Sequence, residues 1–292
     1  MNPARAVRTP GIFVGIDDTD IIGGPGTNHL ARRIAGALPN GYAVDVILRH
    51  QLLSDPRIPY TSRNGSASLA VRVRGTNATG VPETTAFRVR ETNASHREEE
   101  AEIARRLAAR IREVMLEHFQ PGSDPGLCVT TFVPPEVIAF GRRCQREPVR
   151  QEEARALARD HGIHLEGLGG THDGVIGALA AVGLLAAGDD GRVVHMDGWG
   201  WPEDFAGART VDEIRRRGVD EVVELASGRA VTDGVVEVGR QLRPAFRGGR
   251  VILFVERVRG DGRGAAGGRR GAGGAPGGGW VHGAAWRALK LD

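Results

Sequence analysis

Between Val175 and Gly188 the chain runs fourteen residues without a charge, VIGALAAVGLLAAG. As a helix this run is about 21 Å long, too short for a hydrocarbon layer of about 30 Å. It is also apolar on every side, so other elements must cover it all round. Its glycines and alanines let neighbouring backbones come close. The run therefore predicts a buried small-residue helix over 175–187 and a fold with enough apolar material to surround it. At 40% hydrophobic and 26% charged residues, the 292-residue chain has the composition of a soluble protein with a core, and global disorder is excluded. The length fits two ordinary domains or one large one.

Charge narrows the function only a little. The 39 basic and 36 acidic side chains leave a net charge of +3, too balanced to indicate nucleic acid by itself. Lys290 is the single lysine. A phosphate-cradling lysine is thereby nearly excluded, and arginine has to handle any anion with its bidentate fork. The two cysteines, Cys128 and Cys144, are too few for a Cys-only zinc site and form no CxxC pair. Arg5 and Arg8 precede only the short apolar run 11–16, which is no signal-peptide core. The expectation is a cytoplasmic protein without a membrane span.

Hydrophobic periodicity places strands at 11–17, 42–50, 68–74, 127–133, 192–196 and 251–258. Helices are expected at 27–39, 98–119, 151–160, 175–187 and 211–217. Pro121, Gly122 and Pro125 read as a domain boundary. The expected fold class is α+β, with two α/β-sandwich-like domains whose helices each cover one side of a sheet. Eleven of the 43 glycines fall within 260–279, a segment too poor in apolar residues to fold by itself. It reads as a flexible Gly-rich C-terminal loop, after which 280–292 is apolar enough to dock back as a short element.

Three segments are candidates for chemistry. In GIDDTD a strand ends in Asp17, Asp18 and Asp20, and a glycine turn then leads to a helix beginning near Thr27. Clustered carboxylates repel one another unless a cation neutralises them, and hard oxygen ligands suit Mg²⁺. The glycine turn and the helix N–H groups suit phosphate. A solvated acidic turn with Thr27 as an ordinary N-cap fits the same residues. There is no Walker loop, since GKS and GKT are absent. IPYTSRNG, residues 58–65, is either an arginine-presenting loop, with Arg57 and Arg63, or a plain strand connection. GLGGTHDG, residues 167–174, leads into the buried helix, where Asp173 can cap the helix and His172 can face a cleft. Close helix packing explains that segment equally well.

Taken in order, GIDDTD with its glycine turn and threonine, IPYTSRNG and GVIGALAAVG resemble the archaeal agmatidine synthetase family of isoleucine tRNA. Residues 232–258, TDGVVEVGRQLRPAFRGGRVILFVERV, resemble the end of that family's ferredoxin-like domain. The resemblance implies a kinase-like ATP-binding domain over 1–125 and a ferredoxin-like domain over 126–258. The Gly-rich loop 259–279 and the element 280–292 would follow. It implies ATP and Mg²⁺ as cofactors. Asp17, Asp18 and Asp20 would be both catalytic and metal-binding, and Thr27 would match the family's phosphorylated threonine. Gly24, Gly26, Arg63, Asn64, Gly65, His172, Asp173 and Gly174 would surround the nucleotide.

The chain also departs from the family pattern. The family's Cys-Thr-Thr is Gly26–Thr27–Asn28 here, and its Gly–Arg before the buried helix is His172–Asp173. The oligonucleotide-binding barrel and zinc ribbon that grip tRNA in the family find no match after residue 258. The expectation is an ATP- and Mg-dependent kinase- or ligase-type enzyme that activates an unidentified small or nucleotide-like acceptor and does not bind tRNA tightly alone. Two alternatives stand beside it: a tRNA-modifying enzyme working with a separate RNA-binding subunit, and a non-catalytic nucleotide-binding module.

Overall fold

The computed structural model describes residues 11–58, 64–73, 94–200, 202–258 and 285–290. Arg63 and the segment 259–279 lie outside them. The described residues form two compact units. One runs up to Gly198 and includes Phe246–Arg250; the other comprises Trp199–Ala245 and the residues from Val251 onward.

In the first unit the elements are β1 (Ile12–Asp17), α1 (Thr27–Ala37), β2 (Tyr42–Gln51), β3 (Gly65–Val73), α2 (Ala94–His118), β4 (Gly126–Thr130), α3 (Pro135–Cys144), α4 (Gln151–Asp160), β5 (His164–Gly167), α5 (Gly174–Ala187) and β6 (Arg192–Met196). The strands lie in the order β5-β4-β1-β3-β2-β6, each antiparallel to its neighbours. Side chains alternate across such a sheet. Ile12, Val14 and Ile16 of β1 accordingly join Leu30 and Ile34 of α1 and Leu107, Ile111 and Met115 of α2 in one apolar cluster. The opposite face, with Gly15 and Asp17, meets α5.

α5 is the predicted buried helix, and every residue in it except Ile176 and Ala187 is buried. Glycines permit its close contacts. A Cβ at Gly15 would overlap the Ala178 carbonyl, and one at Gly183 would overlap the Val137 carbonyl of α3. A Cβ at Gly141 would lie 2.8 Å from the Ala180 carbonyl oxygen.

Two expectations are corrected here. The helices cover both faces of this sheet rather than one, because α5 has no polar side to turn toward solvent. The division expected after residue 125 is also not where the units part. β4 pairs with β1 in the middle of the sheet, so the residues that follow 125 complete the first unit. The Pro/Gly turn makes a tight connection there: the N–H of Gln120 donates to the Thr19 carbonyl at 3.2 Å and that of Asp124 to the Asp18 carbonyl at 3.0 Å. α3, which follows Pro134, and the short β5 were not foreseen in the sequence.

The second unit is built from short elements: β7 (Gly207–Thr210), α6 (Val211–Arg216), β8 (Glu221–Glu224) and β9 (Val235–Val238), then, after β10 (Ala245–Arg247), most of which belongs to the first unit, β11 (Arg250–Arg257) and β12 (Trp286–Ala288). Thr210 caps α6 through a reciprocal capping box with Glu213. β8 is parallel and β12 antiparallel to β11, while β9 joins β12 to β7. β12 lies within 280–292 and pairs with β11 and β9. It is fastened by the Arg257 guanidinium, 4.8 Å from the Trp286 ring centroid.

Candidate functional site

Antiparallel pairing brings the three motifs to one edge of the first unit. Asp17 ends β1 opposite Gly126, which begins β4. Gly126 in turn faces Gly167 at the end of β5. Gln51 ends β2 opposite Gly65, which begins β3. α1 and α5 both start from loops at this edge. GIDDTD, Asn64–Gly65 and the 167–174 loop thus meet, although they are far apart in sequence.

The three aspartates occupy unequal places. Asp17 is packed against α5 so closely that a Cβ at Gly177 would overlap its carboxylate. Burial pushes its carboxyl up from 3.8 to about 7; the Asp18 and Asp20 charges add to the rise, while the backbone N–H of Asp18 and the Arg49 charge oppose it. Asp18 adopts a left-handed backbone with φ 49°, which Asp tolerates better than most residues. Its carboxyl rises to about 6 through burial, followed by repulsion from Asp124, Asp20 and Asp173. Burial also raises Asp20, which lies beside Gly26. All of these environments disfavour the ionised form.

The start of α1 is open. Gly26, not Thr27, is the N-cap residue; among the described residues no side chain caps the helix, and its first turn carries no acid. Thr27 is the first helical residue and is only 7% exposed. The hydroxyl of Thr19, itself 2% exposed, donates to the Thr27 hydroxyl oxygen at 3.3 Å. Gly24 closes the preceding turn by donating its N–H to the Ile21 carbonyl at 3.0 Å.

The start of α5 is closed. The Asp124 carboxylate accepts from the N–H groups of Thr171 at 3.1 Å, His172 at 2.6 Å and Asp173 at 3.1 Å, and from the Thr171 hydroxyl. These are the donors a phosphate would use there. Asp173 stands at the N-cap position without capping, and its side chain accepts from the Gln151 amide at 2.9 Å. His172 has φ 68°, and Gly174 leaves room for the Asp124 carbonyl. His172, Asp173 and Gly174, expected around the nucleotide, are thus engaged by the protein's own groups.

In the middle motif Asn64 donates its amide to the Leu53 carbonyl at 2.7 Å, and Gly65 lies beneath the Arg49 guanidinium. Arg57 is exposed and paired with Asp55 at 2.8 Å. Sequence reasoning missed Asp124, Arg49 and Gln51. Only Asp124 left a trace, as an acid inside a Pro/Gly turn; the other two look like ordinary strand residues. Cys128 and Cys144 are free and buried, and burial pushes the Cys144 thiol up to about 12, so neither is poised as a nucleophile. Among the described residues no group of three or more His, Cys, Asp or Glu side chains is arranged to hold a metal ion.

Fold and edge together define a mixed α/β protein with an acidic site beside an uncapped helix start. Residues 13–170 match the family model of the TiaS TCKD domain, more than half of the chain, and the chain belongs to that family. Several solved structures are similar, among them the following three. One, of a tRNA fluorescent labeling enzyme, is 24% identical, with a TM-score of 0.43, over 59% of this chain and 35% of that one. Apo TiaS, an agmatidine synthetase of isoleucine tRNA, is 23% identical with a TM-score of 0.41 over the same shares. TiaS in complex with its isoleucine tRNA and ATP is 20% identical, with a TM-score of 0.43, over 81% of this chain and 51% of that one. The chain therefore spans between 35% and 51% of the length of these relatives. No curated protein matches it. No helix among the described residues is long and apolar enough to cross a membrane.

Proposed function

We propose that this chain is an ATP-using enzyme of ligase or kinase type, with the nucleotide bound at the edge formed by Asp17, Asp18, Asp20 and the start of α1. The observation that carries this reading is a group of carboxylates whose burial, with neighbouring charge at Asp17 and Asp18, disfavours the ionised form, next to a helix start whose N-cap residue, Gly26, has no side chain to cap it. Such a site gains most from a ligand that brings a cation and phosphate oxygens together.

The residues present fit Mg²⁺ in the manner that ion prefers with nucleotides, one or two carboxylates supplemented by phosphate oxygens and water. On this reading Asp18 and Asp20 would hold the ion, and Asp17, packed against α5, would add charge. A bound Mg²⁺ would neutralise the phosphate charge. The N–H groups at Gly26 and Thr27 would take the phosphate tail, and the Thr27 hydroxyl, hydrogen-bonded by Thr19, would accept the terminal phosphoryl group as its bond to the nucleotide breaks, ADP leaving and the hydroxyl proton passing to solvent. The acceptor that follows is a small or nucleotide-like molecule. Family membership favours a second reading, in which the acceptor is a tRNA base and another subunit contributes to RNA binding.

Calorimetry with Mg-ATP tests the site. Asp18→Asn keeps a residue that tolerates the left-handed backbone and removes one charged ligand, so affinity should fall roughly 10-fold or more. Unchanged affinity refutes the assignment. ATP turnover by the full chain, alone and with tRNA and agmatine, separates the two acceptors.

A further inference from the structure

Arg49, on β2, lies over Gly65. A Cβ there would be 2.5 Å from Nη2 and 2.8 Å from Cζ of the guanidinium. Glycine at 65 leaves the space that the guanidinium fills, and any larger residue would push the arginine aside. Nη2 donates to Oε1 of Gln51 at 3.0 Å. The Gln51 amide nitrogen donates to the carbonyls of Asn64 at 2.7 Å and Leu52 at 3.0 Å, which turns its oxygen toward Arg49. The strand ends therefore aim one guanidinium in a fixed direction. It stands close enough to Asp17 to oppose the rise of that carboxyl. Arg57, the other described arginine tied to this motif, is exposed and already paired with Asp55.

A guanidinium offers five donors in a planar fork, and phosphate oxygens are among its best acceptors. With lysine confined to position 290, arginine is the side chain that can add a permanent positive charge to the backbone N–H groups of this site. We propose that Arg49 takes a phosphate oxygen of the nucleotide's polyphosphate tail, its fork held in place by Gln51 and by the missing side chain at Gly65. This rests on the nucleotide reading above and adds to it the residue that reads the phosphate tail rather than the nucleoside.

The test titrates the full chain with ATP, adenosine and inorganic tripolyphosphate in the presence of Mg²⁺. Arg49→Lys keeps the charge but loses the fork, and Gly65→Ala moves the fork while keeping every charge. Both should weaken ATP and tripolyphosphate roughly ten- to a hundredfold and leave adenosine within about twofold. Arg57→Ala should leave all three unchanged. Arg49→Lys that binds ATP at wild-type affinity overturns the inference and leaves the nucleotide reading standing. An equal loss of adenosine and ATP also overturns it, because the substitution then acts on the fold or on nucleoside contacts. Wild-type chain that binds none of the three probes overturns both readings together.

Discussion

Asp17 and Asp18 make the folded chain hold protons that the unfolded chain releases, so stability should fall as pH rises. Their carboxyls are raised from 3.8 to about 7 and about 6, with burial the largest cause in each case. Between pH ~4 and pH ~7 the native state binds more protons than the unfolded state; the stabilisation is complete below the unfolded value and lost as pH climbs through the folded one. At about 1.4 kcal/mol per unit, the ceilings are near 4 and 3 kcal/mol. The two carboxyls repel each other through the same charges and each keeps some solvent contact, so the pair should contribute about 2–4 kcal/mol between pH ~5 and pH ~8. For a unit of this size that corresponds to a fall in Tm of about 5–12 °C. The assay is a series of thermal melts in EDTA, wild type against Asp17→Asn. The variant has no proton to lose at that position and should show the flatter profile. Added Mg²⁺ should restore stability at the alkaline end and do little at the acid end. Equal pH slopes in the two proteins would refute the reasoning.

Asp124→Ala removes the acceptor for three N–H groups and a hydroxyl. It should cost about 2–3 kcal/mol and speed amide exchange at 171–173, so unaltered exchange there counts against the closed helix start. Gly177→Ala puts a methyl where the Asp17 carboxylate lies and should cost about 1–3 kcal/mol in a denaturant melt; a neutral result would mean that Asp17 moves aside freely. Thr27→Ala should abolish a single phosphate added during incubation with ATP, read by intact mass. A phosphate that persists in the variant removes Thr27 as the acceptor.

Elements with one strong period were legible in the sequence. β1, α1 and β2 stand within a residue or two of where periodicity put them, because their apolar residues contact one core, and α5 does so because its uncharged run has clear ends. The acidic motif was legible because three carboxylates at a strand end demand an explanation. What stayed hidden was decided by pairing between distant segments. The turn at 121–125 looks like a boundary until β4 is seen beside β1, and only that register carries Asp124 to the start of α5. Arg49 is unremarkable within YAVDVILRHQ until Gly65 leaves space for it. Asp173 had the right identity for a cap, yet its side chain accepts from Gln151, and Asp124 holds the N–H groups of the loop before the helix.

The glycine contacts around α5 also change how a mutational-tolerance map of this protein would read. Gly15, Gly141 and Gly183 have backbone atoms where a side chain would go. None of them bears a reactive group, yet each should reject even alanine as firmly as the aspartates reject replacement. The intolerant positions would trace the outline of a helix through the first unit, with the acidic edge as one end of that outline. Ranking positions by intolerance alone would thus mix packing with chemistry. Asparagine at the acidic positions would separate the two, since it preserves shape while removing charge.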